Sequence, residues 1–396
     1  MNGAELLSRI HEHGYLNAFI AVADEPSEGG AVAVKDLIDV KGFATTGGGN
    51  VLPKVPATTD APLVRRIRDA GNWIVGKTSL FEWAYGCAST NPYFGDVGNP
   101  RDPTRSAGGS SSGSAAAVGA GLCDWAVGTD TAGSVRIPAS LCGVVGYKPT
   151  FGMVDTDGVI PLSRSLDTVG ALAPTVRVAA AAVAIMSGAD LVPEQTAPRP
   201  LCVTTPKGWI EGLDAETSRV WQEVSSGLPS IALPDRSAMR DVLAAIQPAE
   251  SAAFHQEWLR RWPERYSDDL RQKLQVGMGV AAVDYLRARE EQVRMRALVE
   301  EALTGWDALI LPATAVVAPP VHAPEVRDPL LRFTRPFSLT GHPVIVIPAP
   351  TQGLPVGIQV VGHHGRDSEL IQVASALEQE WGTTERSATM GATDRG

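Results

Sequence analysis

Apolar residues recur along this chain at two periods, and the shift between them marks out the elements. Residues 4–25 read as a helix followed by an extended stretch. Ala31-Val32-Ala33-Val34 is an apolar run that ends on Lys35, the pattern of a buried strand closed by a charge. Residues 61–70 place apolar side chains at helical spacing, and Trp73-Ile74-Val75 follows as a short strand. Residues 111–120 form a helix of almost only small side chains, which can lie very close to a neighbour in the centre of a large core. Trp125-Ala126-Val127 and Val144-Val145-Gly146-Tyr147 predict further buried strands. An Ala-rich helix is expected over 170–190 and mostly helical structure over 214–305, rich in Arg, Glu and Gln. Strands return at 308–311, 344–347 and 356–361. A last helix covers 367–381, and a loose tail is expected from Gly382 on. Strand and helix alternate over the whole length and helices gather in the middle. That predicts an α/β layered fold, a mixed sheet with a helical cover, in one domain without repeats or linkers.

Composition adds boundaries. The chain of 396 residues is 44% apolar and 20% charged, ordinary values for a globular protein with a substantial core. A net charge of −10 argues against nucleic acid or an anionic membrane as partner. Cys87, Cys123, Cys142 and Cys202 show no CxxC spacing, which predicts reduced thiols packed as small apolar groups. Met1 to Leu16 has no signal-peptide core, and the longest apolar run, Val178 to Met186, is far too short to span a bilayer. A cytoplasmic enzyme is expected.

The candidate chemistry lies in two Gly/Ser-rich loops, Gly108-Gly109-Ser110-Ser111-Ser112-Gly113 and Gly128-Thr129-Asp130-Thr131-Ala132-Gly133-Ser134, separated by the small-residue helix. A serine is a poor nucleophile until a base takes its proton, and glycine-rich backbone can aim bare N–H groups at a developing oxyanion. Three other patterns compete. Gly71 to Thr78 satisfies the Walker A spacing, but a strand lies between its glycines where a phosphate loop is needed. Gly109-Ser110-Ser111-Ser112-Gly113 fits a nucleophile elbow with Ser111 at its tip; that chemistry needs a histidine, and His255, His322, His342, His363 and His364 stand in no favouring context. His11 and His13, two apart on a helix, share no face and make no metal pair. Lys35 remains as a base. It is one of seven lysines and follows four apolar residues. Burial would lower its pKa enough to act near neutral pH, but its position also suits a strand-end lysine paired with Asp36 or Asp39.

The chain resembles the amidase signature family of serine hydrolases. The resemblance is carried by Gly108 to Val118, by Gly128 to Ala139 and by Gly143 to Thr150, with Ser110 and Ser134 separated by the family's 24 positions (134 − 110). Val34-Lys35-Asp36, Gly76-Lys77-Thr78, Asn99-Pro100-Arg101, Ser165 to Gly170, Pro336 to Gly341 and Gly353 to Gly357 extend it over about residues 15–380. What it implies is an amidase-signature fold, an α/β/α sandwich around a large mixed sheet. It divides into an N-terminal helical arm (1–30), a signature core (31–170), a helical cover (171–305), the C-terminal part of the core (306–382) and a tail (383–396). The chain is short before Lys35, so part of the family's arm is expected to be trimmed.

The resemblance also implies the roles. Ser134 is the nucleophile and Ser110 the bridging serine, in the family preceded by a non-proline cis peptide. Lys35, uncharged in the free enzyme, draws a proton from Ser110 while Ser110 takes one from Ser134, and the relay later protonates the leaving nitrogen. The N–H groups of Thr131, Ala132, Gly133 and Ser134 form the oxyanion hole, where one lost donor costs about 10²–10³ in rate. Asp130 and Arg136 brace the nucleophile loop, and Ser111 supplies a supporting hydroxyl or a helix cap. Ser112 and Ala132 stand where most relatives have glycine, which hints at a small substrate. The expected activity is hydrolysis of a carboxylic amide to acid and ammonia or amine. No metal or organic cofactor is implied. The expected partners are a small-molecule amide and a second copy in a homodimer, with no nucleic acid and no membrane. The alternatives are a glutamine-hydrolysing, ammonia-donating subunit of a tRNA-dependent amidotransferase and an esterase. Substrate choice is expected from residues 151–342 and the loop near Tyr85 to Tyr93, with Arg332, Arg335 and Trp306 as conceivable contacts.

Overall fold

The computed structural model describes residues 2–191 and 200–393, with side chains through residue 382. Eleven strands, β1 (Phe19–Val22), β2 (Gly30–Lys35), β3 (Asn72–Thr78), β4 (Trp125–Asp130), β5 (Val145–Lys148), β6 (Thr168–Ala173), β7 (Val203–Pro206), β8 (Ser230–Ile231), β9 (Ala308–Pro312), β10 (Val344–Pro348) and β11 (Gly357–Val361), join in one mixed sheet. Its order is β1-β3-β2-β4-β6-β5-β10-β11-β9-β7-β8. The helices are α1 (Gly3–Glu12), α2 (Pro62–Asp69), α3 (Ser112–Gly119), α4 (Arg136–Cys142), α5 (Val176–Ser187), α6 (Ala215–Val224), α7 (Arg236–Arg261), α8 (Asp268–Met278), α9 (Ala282–Ala302), α10 (Arg327–Leu331), α11 (Arg335–Leu339) and α12 (Asp367–Thr393).

Successive side chains of a strand point to opposite faces, so each buried strand serves two cores. Val32 and Val34 of β2 and Trp125 and Val127 of β4 pack with α2, α5 and α12 on one face. Ala31, Ala33 and Ala126 pack with α1 and α3 on the other. The second face is lined by small residues, and that is why α3 is built of Ala, Ser and Gly. A Cβ added at Gly113 would lie 2.2 Å from the Ala18 carbonyl oxygen, so only glycine permits this approach. Helices α7 and α9 close a third core with Phe333 and Phe337 over the edge of β9 and β10. The amidase-signature α/β sandwich with a helical cover is the fold observed.

One topological feature positions the chemistry. β2 runs parallel to both β3 and β4. Lys35, Thr78 and Asp130, the last residues of the three strands, therefore lie along one edge of the sheet, where open α/β folds place their sites.

The structure departs from expectation at several elements. β6 occupies 168–173, and the helix expected from residue 170 starts only at Val176, after Thr175 caps it by accepting from the Val178 N–H. A run of small apolar residues reads alike in either state, and it is packing that selects the strand. A Cβ at Gly170 would meet the Tyr147 carbonyl 2.3 Å away. β7 and β8 frame α6 outside the expected strands. α12 continues to Thr393 where a tail was expected from Gly382. β3 runs unbroken from Asn72 through Gly76 and Lys77, so no phosphate loop exists there. Among the described residues no helix is long and apolar enough to cross a membrane.

Candidate active site

Lys35 closes β2 and is fully buried. Its Nζ lies 2.7 Å from Ser110 Oγ, 2.9 Å from Ser111 Oγ and 2.8 Å from Thr129 Oγ1. Among the described residues no carboxylate lies within 4.0 Å of it. Asp36 instead pairs with Lys77, one strand away, at 2.7 Å, both side chains fully buried. The strand-end ion pair open to Lys35 on sequence is thus taken by its neighbours. Burial strips the ammonium of water and lowers the Lys35 pKa to about 7, against the weaker raising pull of Asp130 and Asp167. Three hydroxyls serve the amine in both states. They accept all three N–H bonds of an ammonium, or accept two and donate one to the lone pair of a neutral amine.

The Gly109–Ser110 peptide is cis, as the resemblance implied. The N–H of Ser111 donates to the Ser134 carbonyl at 3.2 Å, which ties the two serine loops together. Ser134 reaches the wall of a cavity of about 270 Å³, together with Thr131 and Ala132. Among the described residues its hydroxyl makes no hydrogen bond, so Ser110 and Ser134 meet at loop level but do not hydrogen-bond side chain to side chain.

The backbone around Ser134 is shaped by what surrounds it. Gly133 has φ 138°, and a Cβ there would fall 2.3 Å from Thr334 Oγ1. That hydroxyl donates to the Ala132 carbonyl at 2.6 Å. In a planar trans peptide the N–H points opposite the carbonyl, so pinning the Ala132 C=O turns the Gly133 N–H away from Thr334. Among the described residues the N–H groups of Thr131, Ala132, Gly133 and Ser134 donate to no protein acceptor. Four consecutive unspent donors thus lead up to a serine hydroxyl at the cavity wall.

Two carboxylates hold this loop from below. Asp130 receives Arg136 in a two-point contact, Nε at 3.0 Å and Nη2 at 2.9 Å, and the Val135 N–H at 3.1 Å. Burial would raise its pKa, but Arg136 outweighs it and keeps the group at about 2. Arg136 then donates to the Thr334 carbonyl, Gln359 Oε1 and Ser338 Oγ, reaching two more segments, α11 with its N-cap and β11. Asp167 accepts from Thr131 Oγ1 at 2.5 Å and from the Leu162 and Ser163 N–H groups; burial raises it to about 6. Removing one member of a buried pair leaves the other charge unpaired. Arg136→Met is therefore expected to destabilise the fold by about 3–5 kcal/mol, read from urea unfolding. A loss below about 1 kcal/mol would remove the bracing role.

The residues expected from sequence thus fall into two groups. Lys35, Ser110 and Ser111 meet in the buried amine cluster, and Thr131, Ala132, Gly133 and Ser134 form the loop at the cavity. Asp130 and Arg136 support that loop without touching Lys35. Ser111 binds the amine and makes no cap hydrogen bond to α3. Sequence reasoning missed Thr129, Thr334 and Gln359, and saw Asp167 only inside a matching stretch. Thr129 had a signal, since it lies one residue before Asp130 in the second Gly/Ser-rich loop. Among the described residues no histidine hydrogen-bonds Ser111, whose hydroxyl meets Lys35 and Thr129 instead. His255 meets Tyr266, and His342 and His363 meet Glu300. Cys87, Cys123 and Cys142 are buried free thiols and Cys202 is an exposed one.

Residues 23–211 and 217–371 match the family described as Amidase. The chain is 32% identical over 422 residues to the glutamyl-tRNA(Gln) amidotransferase A-subunit of Halobacterium salinarum, covering 92% of this chain and all of that one. It is 32% identical over 386 residues to AtzE, the 1-carboxybiuret hydrolase subunit of Pseudomonas sp. strain ADP, covering 89% and 84%. The crystal structure of an amidase superposes with a TM-score of 0.90 at 33% identity, covering 96% and 95%. Several further relatives share the first one's name. These likenesses correct the expected partners, a small-molecule amide and a homodimer without nucleic acid. Relatives named as subunits, and for a tRNA, do not fit that set. Net charge describes a chain's whole surface, and neither a partner subunit nor a local contact need show in it. With its fold, its serine loops and these relatives, the chain belongs to the amidase signature family of hydrolases, enzymes that cleave carboxamide C–N bonds.

Proposed function

We propose that this protein cleaves its amide through an acyl-enzyme on Ser134, with Ser110 and Lys35 as the proton path. The observation that carries the reading is an amine at 2.7 Å from Ser110, buried, without a carboxylate partner among the described residues and with its pKa lowered by burial to about 7. Ser134 Oγ attacks the carbonyl carbon as its proton passes to Ser110 Oγ and the Ser110 proton passes to Lys35 Nζ. Negative charge grows on the carbonyl oxygen, toward the N–H groups of Thr131 to Ser134. The ammonium of Lys35 then returns its proton through Ser110 to the departing nitrogen, without which an amine cannot leave. Water repeats the cycle on the acyl-enzyme and frees the acid. The Ser110–Ser134 hydrogen bond absent from the free enzyme forms when substrate fills the cavity, since such contacts often tighten only in the complex.

Partitioning tests this reading. With hydroxylamine present, different amides of one acid should yield hydroxamate and acid in one common ratio, because they share one acyl-enzyme. Ratios that follow the leaving group would exclude the intermediate. The same intermediate serves esters, and paired amide and ester substrates of one acid measure that preference.

A second reading is favoured by the relatives named as amidotransferase A-subunits, one of which this chain spans from end to end. There the amide is glutamine and the released ammonia passes to a partner. A glutaminase activity that depends on a copurifying subunit supports it. An isolated chain that turns over other amides and leaves glutamine untouched removes it.

A further inference from the structure

The cavity at Ser134 has a one-sided electrostatic wall. Leu162, Leu243 and Leu331 supply apolar surface, and Arg240, Arg327 and Arg335 supply charge; among the described residues no carboxylate lines it. In a chain of net charge −10, three cations without an anion in the reaction cavity run against composition. Among the described residues these cations are weakly partnered. Arg335 has a side chain only 12% exposed, and its nearest carboxylate is Asp328 at 3.9 Å, which is already held by Arg332 at 2.7 Å. Among the described residues Arg335 makes no side-chain hydrogen bond, and the Arg327 side chain makes neither a hydrogen bond nor an ion pair. Among the described residues the exposed Arg240 side chain pairs with its sequence neighbour Asp241 at 2.9 Å and with no other carboxylate.

A guanidinium largely withdrawn from water without a close partner, as Arg335 is, is unfavourable, and the exposed Arg327 adds a second positive charge to the same wall. Burial, followed by the repulsion of Arg327, pulls the Arg335 pKa down to about 10. An anion in the cavity would answer both effects, and the planar fork of arginine matches a carboxylate at two points. When the leaving group is ammonia, the rest of the substrate is its acyl part, so an anion held in this cavity belongs to the acyl part.

We propose that the acyl part of the substrate carries a carboxylate, received by Arg335 with Arg240 and Arg327 at the rim, while the leucines hold the carbons between it and the amide. The assignment rests on the acyl-enzyme reading above and narrows it to monoamides of dicarboxylic acids and their substituted forms. The test compares kcat/KM for succinamate and glutaramate with butyramide and valeramide, uncharged amides of matched length. Wild type should favour the acids by about 30-fold or more, the scale of a charge-assisted two-point contact. Arg335→Gln should lower the acid-to-neutral ratio by about 10- to 100-fold, mainly through KM of the acids. Arg327→Gln, at the exposed rim, should lower it by about 3- to 10-fold and guards against an Arg335 variant that fails to fold. In parallel, glutarate should protect Ser134 from a fluorophosphonate where valeramide at the same concentration does not. This reads the subsite even if turnover of the four probes is slow. A wild-type ratio near one, or protection equal for glutarate and valeramide, overturns the carboxylate subsite; labelling of Ser134 and turnover of neutral amides would still stand. Absence of labelling at Ser134 overturns the acyl-enzyme reading instead.

Discussion

Ser134→Ala is expected to lower kcat by roughly 10⁶-fold and to abolish labelling by a fluorophosphonate, since removing a serine nucleophile elsewhere costs about that much. The fold should not suffer. The Ser134 hydroxyl makes no hydrogen bond among the described residues, and its backbone contact to the Ser111 N–H survives the change. A melting temperature within about 2 °C of wild type, with activity gone, separates chemistry from stability. Ser111→Ala is the informative companion. Ser111 is buried and binds the Lys35 amine and the Thr129 carbonyl, so its loss should disturb the base without removing the nucleophile. Labelling should then persist at a reduced rate. If labelling moved with Ser111 and ignored Ser134, a nucleophile elbow at Ser111 would replace the acyl-enzyme on Ser134.

How much of this was legible in the sequence varies with range. Lys35 was readable because local pattern decides burial: four apolar residues in a row make a strand with no wet face, and the residue that ends it inherits the dry surroundings. The small-residue helix was readable for the same reason. Thr168 to Ala173 was not, because Gly and Ala in a short apolar run carry neither period clearly, and the strand is chosen by β4 and β5 on its two sides. The serine loops were legible through resemblance, but their bracing was only partly so. Arg136 and Asp130 are near in sequence and were expected to act together. Thr334 and Gln359 lie 198 and 223 residues from Arg136 and arrive only through the order of the sheet. The cavity wall is more extreme still. Arg240, Arg327 and Arg335 sit on α7, α10 and α11, and nothing local relates them to Ser134. Of the three, only Arg335 is a conceivable contact on sequence, because a surface arginine on a helix looks the same whether or not it borders a cavity.

The proton path offers the other large effect, and its sign follows from the charge state required. Only the uncharged amine of Lys35 can accept a proton, so kcat/KM should rise with pH through about 7 and level off above it. Lys35→Ala should lower kcat/KM by about 10²–10⁴-fold and remove that inflection, leaving a profile flat or governed by other groups. Lys35→Arg is the stricter variant. It keeps the length and the positive charge, but a guanidinium does not lose its proton below about pH 12, so activity should be absent at every accessible pH. Two neighbours could mimic the inflection. Lys148, fully buried, is also lowered to about 7 by burial, with Arg136 pushing the same way; its Nζ donates only to the Pro149 carbonyl among the described residues. Burial raises Asp167 to about 6 beside Thr131, and its protonation would loosen the Thr131–Ser134 loop on the acid side. Lys148→Met should therefore leave the midpoint near 7, while Asp167→Asn should remove only an acid-side shoulder. A midpoint that vanished with Lys148 and survived in Lys35→Ala would assign the titration to the wrong amine and take the relay with it.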